Sequence, residues 1–201
     1  MKQIVFAVGV MLFLGLWGCD TRRTVTIPQL NEYLADSDNG LQYTEKDGDA
    51  RLEIEYHPKD LVVKQQLEDV TDPAERAAVK RQYDSLDYFV LRFSNKDKEI
   101  ENSYVSNPAG LADVVHYFSQ GILDDMFMIT PTDTLRPVDV AYMRTFGMSH
   151  ASSVMVVFKS YLAQRDGTVE VYLQDRLLHT GTNKFSIHTH DIKNIPALKV
   201  D

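Results

Sequence analysis

Short runs of alternating apolar and polar residues, punctuated by Asp-Gly pairs, constrain this chain more than any other feature. Leu52, Ile54 and Tyr56 alternate with Glu53 and Glu55, the period-two pattern of a strand with one buried face. Asp47-Gly48 separates that run from Leu41 to Thr44 and supplies the turn chemistry of a tight hairpin. Asp87 to Ser94 is almost continuously apolar, which suits a central strand. Ile122 to Thr130, Thr134 to Arg144, Val154 to Tyr161, Val169 to Leu173 and Lys184 to His190 also read as extended. Gln164-Arg165-Asp166-Gly167 is expected to join the third and fourth of these as a hairpin. Strands at this spacing predict a mainly β fold, a single antiparallel β-sandwich-like domain.

Two or three short helices are expected beside the strands. Asp72-Pro73-Ala74-Glu75 places an N-cap, a proline at the first helical position and a glutamate at the third, with Val79, Tyr83 and Leu86 following on one face. Asn107-Pro108 opens another, with a stripe of Leu111, Val114, Val115 and Phe118, and Gly121 is expected to close it. Ile27, Leu30, Tyr33 and Leu34 have helical spacing over barely two turns. Leu61-Val62-Val63 is apolar but too short to assign to either type.

The amino-terminal stretch reads differently. Met1-Lys2 is followed by an uncharged run from Gln3 to Gly18, then by Cys19, the only cysteine. A basic start, a short apolar core and a small residue before a cut are the parts of a secretory signal. The core, Ile4 to Leu16, is shorter than the roughly 20 residues a spanning helix needs. Leu16-Trp17-Gly18-Cys19 resembles the lipobox of bacterial lipoproteins, with Trp17 departing from the usual small or polar residue. The resemblance implies a signal peptide over 1–18, lipid on the thiol and amino group of Cys19, a tether over 19–26 and one β-rich globular domain over 27–201. Several acyl chains on one residue exceed what stable membrane attachment requires.

A formal net charge of −8 argues against nucleic-acid binding, which wants a basic surface. With Cys19 lipidated no thiol remains, so cysteine nucleophiles, thiolate metal sites and disulfides are excluded. Asn39-Gly40-Leu41, Tyr56-His57-Pro58-Lys59-Asp60-Leu61, Asp133-Thr134-Leu135, Asp175-Arg176-Leu177 and Lys184-Phe185 followed by Asp191-Ile192 resemble recurring features of small lipoproteins of Bacteroidota. That resemblance implies a cell-envelope setting for nearly the whole mature chain and supplies no catalytic residues.

Candidate chemistry is sparse. His188 and His190 would share one face of a strand and could reach one metal ion, with His179 or His150 as a third ligand, but alternation with Phe185 and Ile187 favours a solvated face. Met126, Met128, Met143, Met148 and Met155 allow a soft copper site, and core packing is the plainer expectation. Ser149-His150-Ala151-Ser152-Ser153 places hydroxyls near an imidazole without a Gly-x-Ser-x-Gly elbow. Asp124-Asp125, on a strand, would point apart rather than face each other across a cleft, as glycoside hydrolysis requires. The aromatics, ten tyrosines and nine phenylalanines, do not resolve into a surface platform by alternation alone.

The reading that follows is a membrane-anchored, noncatalytic interaction module, held to membrane lipid through Cys19 and contacting an envelope protein partner, with no cofactor beyond that covalent lipid. A lipoprotein presenting a sugar, peptide or metal to a transporter is the alternative. An envelope hydrolase using His150, His188 or His190 is a third. The expected position is the outer membrane, facing the periplasm.

Overall fold

The computed structural model describes residues 23–162 and 166–199. The expected signal peptide, Cys19 and the start of the tether lie outside these, as do Gln164 and Arg165.

From the amino end, β1 (Thr24–Val25) leads into α1 (Ile27–Ala35), where the Thr26 amide donates to Gln29 Oε1 at 3.0 Å. β2 (Gln42–Asp47) and β3 (Ala50–His57) form the expected Asp-Gly hairpin, with Asp47 opposite Ala50 and Gly48 at φ +57°. The ambiguous Leu61-Val62-Val63 is helical, in α2 (Lys59–Gln66). α3 (Pro73–Tyr83) starts where the capping pattern placed it, the Glu75 amide donating to Asp72 Oδ1 at 2.8 Å. β4 (Leu86–Asn95) and the short β5 (Lys98–Glu99) follow. α4 (Pro108–His116) is capped by Asn107, runs through a π-turn over Tyr117–Gly121 and continues as α5 (Ile122–Asp125). Then come β6 (Met126–Ile129), β7 (Thr134–Leu135), β8 (Asp139–Met143), β9 (Ser152–Lys159), β10 (Thr168–Asp175), β11 (Gly181–His188), α6 (Thr189–Lys193) and β12 (Ala197–Leu198).

The fold is mainly β, as expected. One antiparallel sheet runs β2-β3-β4-β9-β8, with β5 on the end of β4, and a second runs β11-β10-β6-β7. β1 and β12 pair in parallel. Leu52, Ile54, Phe89, Leu91, Phe93, Val154, Val156 and Phe158 from the larger sheet share one apolar core with Met126, Met128, Val171, Leu173, Phe185 and Ile187 from the smaller. Tyr43 of β2 meets Phe185 of β11 edge-on at 6.3 Å, a contact between the two sheets. β4 is buried on both faces, because Val62 of α2 covers its outer side at Tyr88, beside Val157.

Four differences from the expected layout have physical causes. Gly121 does not end its helix: its φ of −60° is helical, and Val114, Phe118 and Ile122 continue one buried stripe at four-residue spacing. The strand expected from Ile122 therefore starts only at Met126. β9 and β10 do not pair; they belong to different sheets, and Gly167 instead accepts from the Thr189 amide at 3.0 Å. β11 ends at His188 because Thr189 turns inward, 1% exposed, and its Oγ1 also donates to the Gly167 carbonyl. Finally α2, α5 and α6 add helices beyond the two or three expected. Among the described residues no helix is long and apolar enough to cross a membrane.

Candidate functional site

At the Asn95 end of β4 the chain makes a tight reversal through Lys96 and Asp97, both at φ +53°. β5 then delivers Glu99, 1% exposed, beneath the loop between β8 and β9. Glu99 accepts from Thr145 Oγ1, from the Gly147 amide at 2.6 Å and from the Ser149 amide at 2.9 Å. Its neighbour Glu101, 6% exposed, accepts from Ser152 Oγ, which in turn accepts from the Ile100 amide at 2.9 Å. Neither carboxylate has an ion pair among the described residues. Burying an unpaired carboxylate is costly unless donors converge on it, and here they do.

The loop so held is strained and carries its apolar side chains outward. Phe146 sits at φ +55° and Gly147 at +83°, a left-handed pair in which only the glycine is at ease. Phe146 is 72% and Met148 84% exposed, and Val105, after the turn that follows β5, is 73% exposed. The Arg144 guanidinium lies 4.6 Å from the centre of the Phe146 ring. An open cavity of about 790 Å³ lies here, lined by Lys96, Lys98, Asn102, Val105, Met148 and His150. Large apolar side chains exposed together are characteristic of contact surfaces.

Beyond Met148 the surface passes onto the outer face of the larger sheet, where a smaller cavity of about 320 Å³ reaches Arg51, Glu53 and Arg92. Arg92 Nη1 donates to Glu55 Oε2 at 2.9 Å, and His57 Nδ1 is 3.9 Å from Glu55 Oε1. Burial pushes the Glu55 carboxyl up, but His57 and Arg92 outweigh it and hold it below its usual range.

The residues singled out from sequence fall in separate places. Ser149 and His150 belong to the corner: Ser149 Oγ accepts from the Ala151 amide at 3.4 Å, while His150 Nδ1 lies 3.3 Å from the Asp97 carbonyl. His188 ends β11 and His190 sits in α6, so the shared strand face expected for the two imidazoles does not form. His188 Nδ1 is 2.9 Å from Thr168 Oγ1, His190 Nε2 is 2.9 Å from Asn194 Nδ2, and all three histidines are exposed. His179 is exposed at φ +60°. Among the described residues no group of three or more His, Asp or Glu is placed to hold a metal.

Met126 and Met128 are fully buried in the core, whereas Met148 is exposed at the corner. Asp124 and Asp125 occupy a helical turn rather than a strand. Asp125 is buried and pairs with Arg176 at 2.5 Å, and Asp124 is exposed. Sequence reasoning missed the corner itself. Glu99 carries no local signature, and the signal that could have found the corner is the Phe146-Gly147-Met148 succession, apolar residues on either side of a glycine.

An aromatic pair also became visible only in the fold. Phe127 and Tyr172, opposite one another on β6 and β10, stack with ring centres 5.1 Å apart on the outer face of the smaller sheet. The Arg136 guanidinium lies 5.3 Å from the Phe127 ring and the Lys184 ammonium 6.0 Å from that of Tyr172.

No protein-family model, no curated protein and no solved structure matches this chain.

Proposed function

We propose that the protein is an envelope lipoprotein, anchored through Cys19, whose folded domain is a noncatalytic interaction module for another envelope protein. The observation that carries this reading is the corner surface. Phe146 and Met148 are exposed on a loop whose Gly147 and Ser149 amides the buried Glu99 holds, with Val105 exposed beside Met148 along the same cavity, so the loop is presented already ordered. Preordering lowers the entropy cost of association. The outer membrane, facing the periplasm, is the position the reading assigns. Full-length protein crosslinked mildly in its native cells and purified by affinity tests it, beside Cys19→Ala and a Phe146→Ser/Met148→Ser double variant. A near-stoichiometric partner lost in both variants supports the reading. Equal recovery with the double variant removes the corner from it.

A second reading, a lipoprotein that presents a sugar to a transporter, draws on the Phe127–Tyr172 stack flanked by Arg136 and Lys184. Glu170 accepts from the Tyr172 hydroxyl and pairs with Lys184, so polar groups that could hydrogen-bond a sugar's hydroxyls sit directly beside the two rings. A glycan screen on wild type and Tyr172→Ala tests it: binding lost with the ring supports it.

A further inference from the structure

A third cavity, a cleft of about 500 Å³, lies between α2, α3 and β12. Its floor is apolar, from Val63, Leu67 and Leu198, and its rim carries Lys64, Lys80 and Lys199. Arg76 is also there, with Nη1 donating to the Leu67 carbonyl at 3.2 Å and the Val70 carbonyl at 2.6 Å. Asp60 and Glu68 are the acidic members. Four cations against two carboxylates stand out on a chain whose net charge is −8. Lys64, Lys80 and Lys199 have no ion pair among the described residues.

The cleft is tied to the amino-terminal tether by β1. The Ala197 amide donates to the Arg23 carbonyl at 3.0 Å and the Lys199 amide to that of Val25 at 2.9 Å, so the strand that edges the cleft is the one the tether joins. Only Asp20, Thr21 and Arg22 separate Cys19 from Arg23. Fully extended, that length spans about 14 Å. An anchor at Cys19 therefore keeps this end of the domain against the bilayer.

We propose that the α2–α3–β12 cleft is the membrane-facing surface, with Lys64, Lys80 and Lys199 meeting the phosphates of anionic lipids. This rests on the lipid-anchor reading above. It also fixes the direction of the corner surface. β3 and β4 run antiparallel, with His57 opposite Tyr88 at the end that α2 and α3 adjoin and Ala50 opposite Asn95 at the other. Eight strand residues at about 3.3 Å each put the Asn95 corner roughly 26 Å along the sheet from that end. Phe146 and Met148, in the loop between β8 and β9, thus lie at the opposite end of the sheet from the cleft, where a neighbouring envelope protein can reach them.

Mass spectrometry of the purified mature protein comes first, because absence of a lipid thioether on Cys19 would remove the anchor reading itself. With that lipid in place an introduced cysteine is the only free thiol. Nitroxides at Glu68→Cys, in the cleft, and Lys98→Cys, at the corner, are then compared in lipidated protein reconstituted into vesicles containing a nickel-chelating lipid. Several-fold stronger relaxation at position 68 than at 98 is expected in vesicles with anionic phosphatidylglycerol, falling when Lys64, Lys80 and Lys199 are all changed to glutamine. Equal relaxation at the two sites overturns the proposal. So does an unchanged response in the triple variant. A cleft label shielded from both lipid-borne and water-borne nickel also overturns it, since the tether would then fill the cleft.

Discussion

Glu99 Oε2 lies 2.6 Å from the amide of Gly147, a residue 48 positions later in the chain. The same carboxylate takes the Ser149 amide and the Thr145 hydroxyl, so one buried side chain fixes the backbone beneath Phe146 and Met148. Glu99→Gln removes the charge and leaves one acceptor oxygen, turning an NH₂ group toward donors. A buried donor left without a partner costs about 1–3 kcal/mol. The variant should lose that much stability in urea titration, and its Gly147 and Ser149 amides should exchange faster than in wild type. An unchanged midpoint with unchanged exchange would show that other contacts hold the loop.

Gly40 and Asp191 form the second dependence. Gly40 has φ +67°, and a Cβ built there would lie 2.5 Å from Asp191 Oδ2. The left-handed backbone alone costs a non-glycine residue roughly 1–2 kcal/mol, and the clash adds to it. Gly40→Ala should therefore destabilise by more than that backbone cost. Combining it with Asp191→Ala should recover the steric part only. Thermal unfolding of the four members of this double-mutant cycle gives the coupling, and strict additivity would mean that Asp191 simply swings aside.

These two pairs mark where sequence stopped being informative. The β2–β3 hairpin, the capped starts of α3 and α4, and β4 as a doubly buried strand are set by neighbouring residues, so local pattern located them. Gly40 meeting Asp191 and Glu99 meeting Gly147 depend on chain segments distant in sequence, and nothing local announces them. The same limit explains the misplaced pairing of β9 with β10. Asp166-Gly167 signals a reversal but does not say which strand lies beyond it, and Thr189 supplied the decisive bond. His188 and His190 parted for that reason too, since the inward turn at Thr189 ends the alternation. The corner was legible only in fragments, because its apolar residues are conspicuous only once burial elsewhere is known.

Phe118 holds the π-turn against the larger sheet. Its ring is 0% exposed, with centres 5.2 Å from Phe93 and 5.1 Å from Tyr142. Phe118→Ala should cost about 3–5 kcal/mol, the range for removing a buried aromatic ring. Val105→Ser, at a 73% exposed position, should change stability by less than about 0.5 kcal/mol. Denaturant titration of both separates core from contact surface: a large loss from Val105→Ser would assign that residue a packing role instead.

Asp87 gives the fold a pH dependence whose sign follows from its surroundings. It is 2% exposed, and Oδ2 accepts from the Tyr161 amide at 2.7 Å and the Leu162 amide at 3.1 Å. Burial dominates and raises its pKa above the ordinary 3.8, against the lowering effect of those amides, Ser160 and Lys59. Between 3.8 and the raised value, the folded chain holds a proton that the unfolded chain has released. Stability from this group therefore falls as pH rises through that window and stays lower above it. Asp87→Asn keeps an acceptor oxygen for the two amides and has no charge to desolvate. Its stability relative to wild type should be lowest below pH 3.8, rise across the window and level off above it. Urea titrations at a series of pH values from 3 to 7 read this directly. A variant that loses ground as pH rises would mean that the carboxylate, rather than its neutral form, is what the fold favours there.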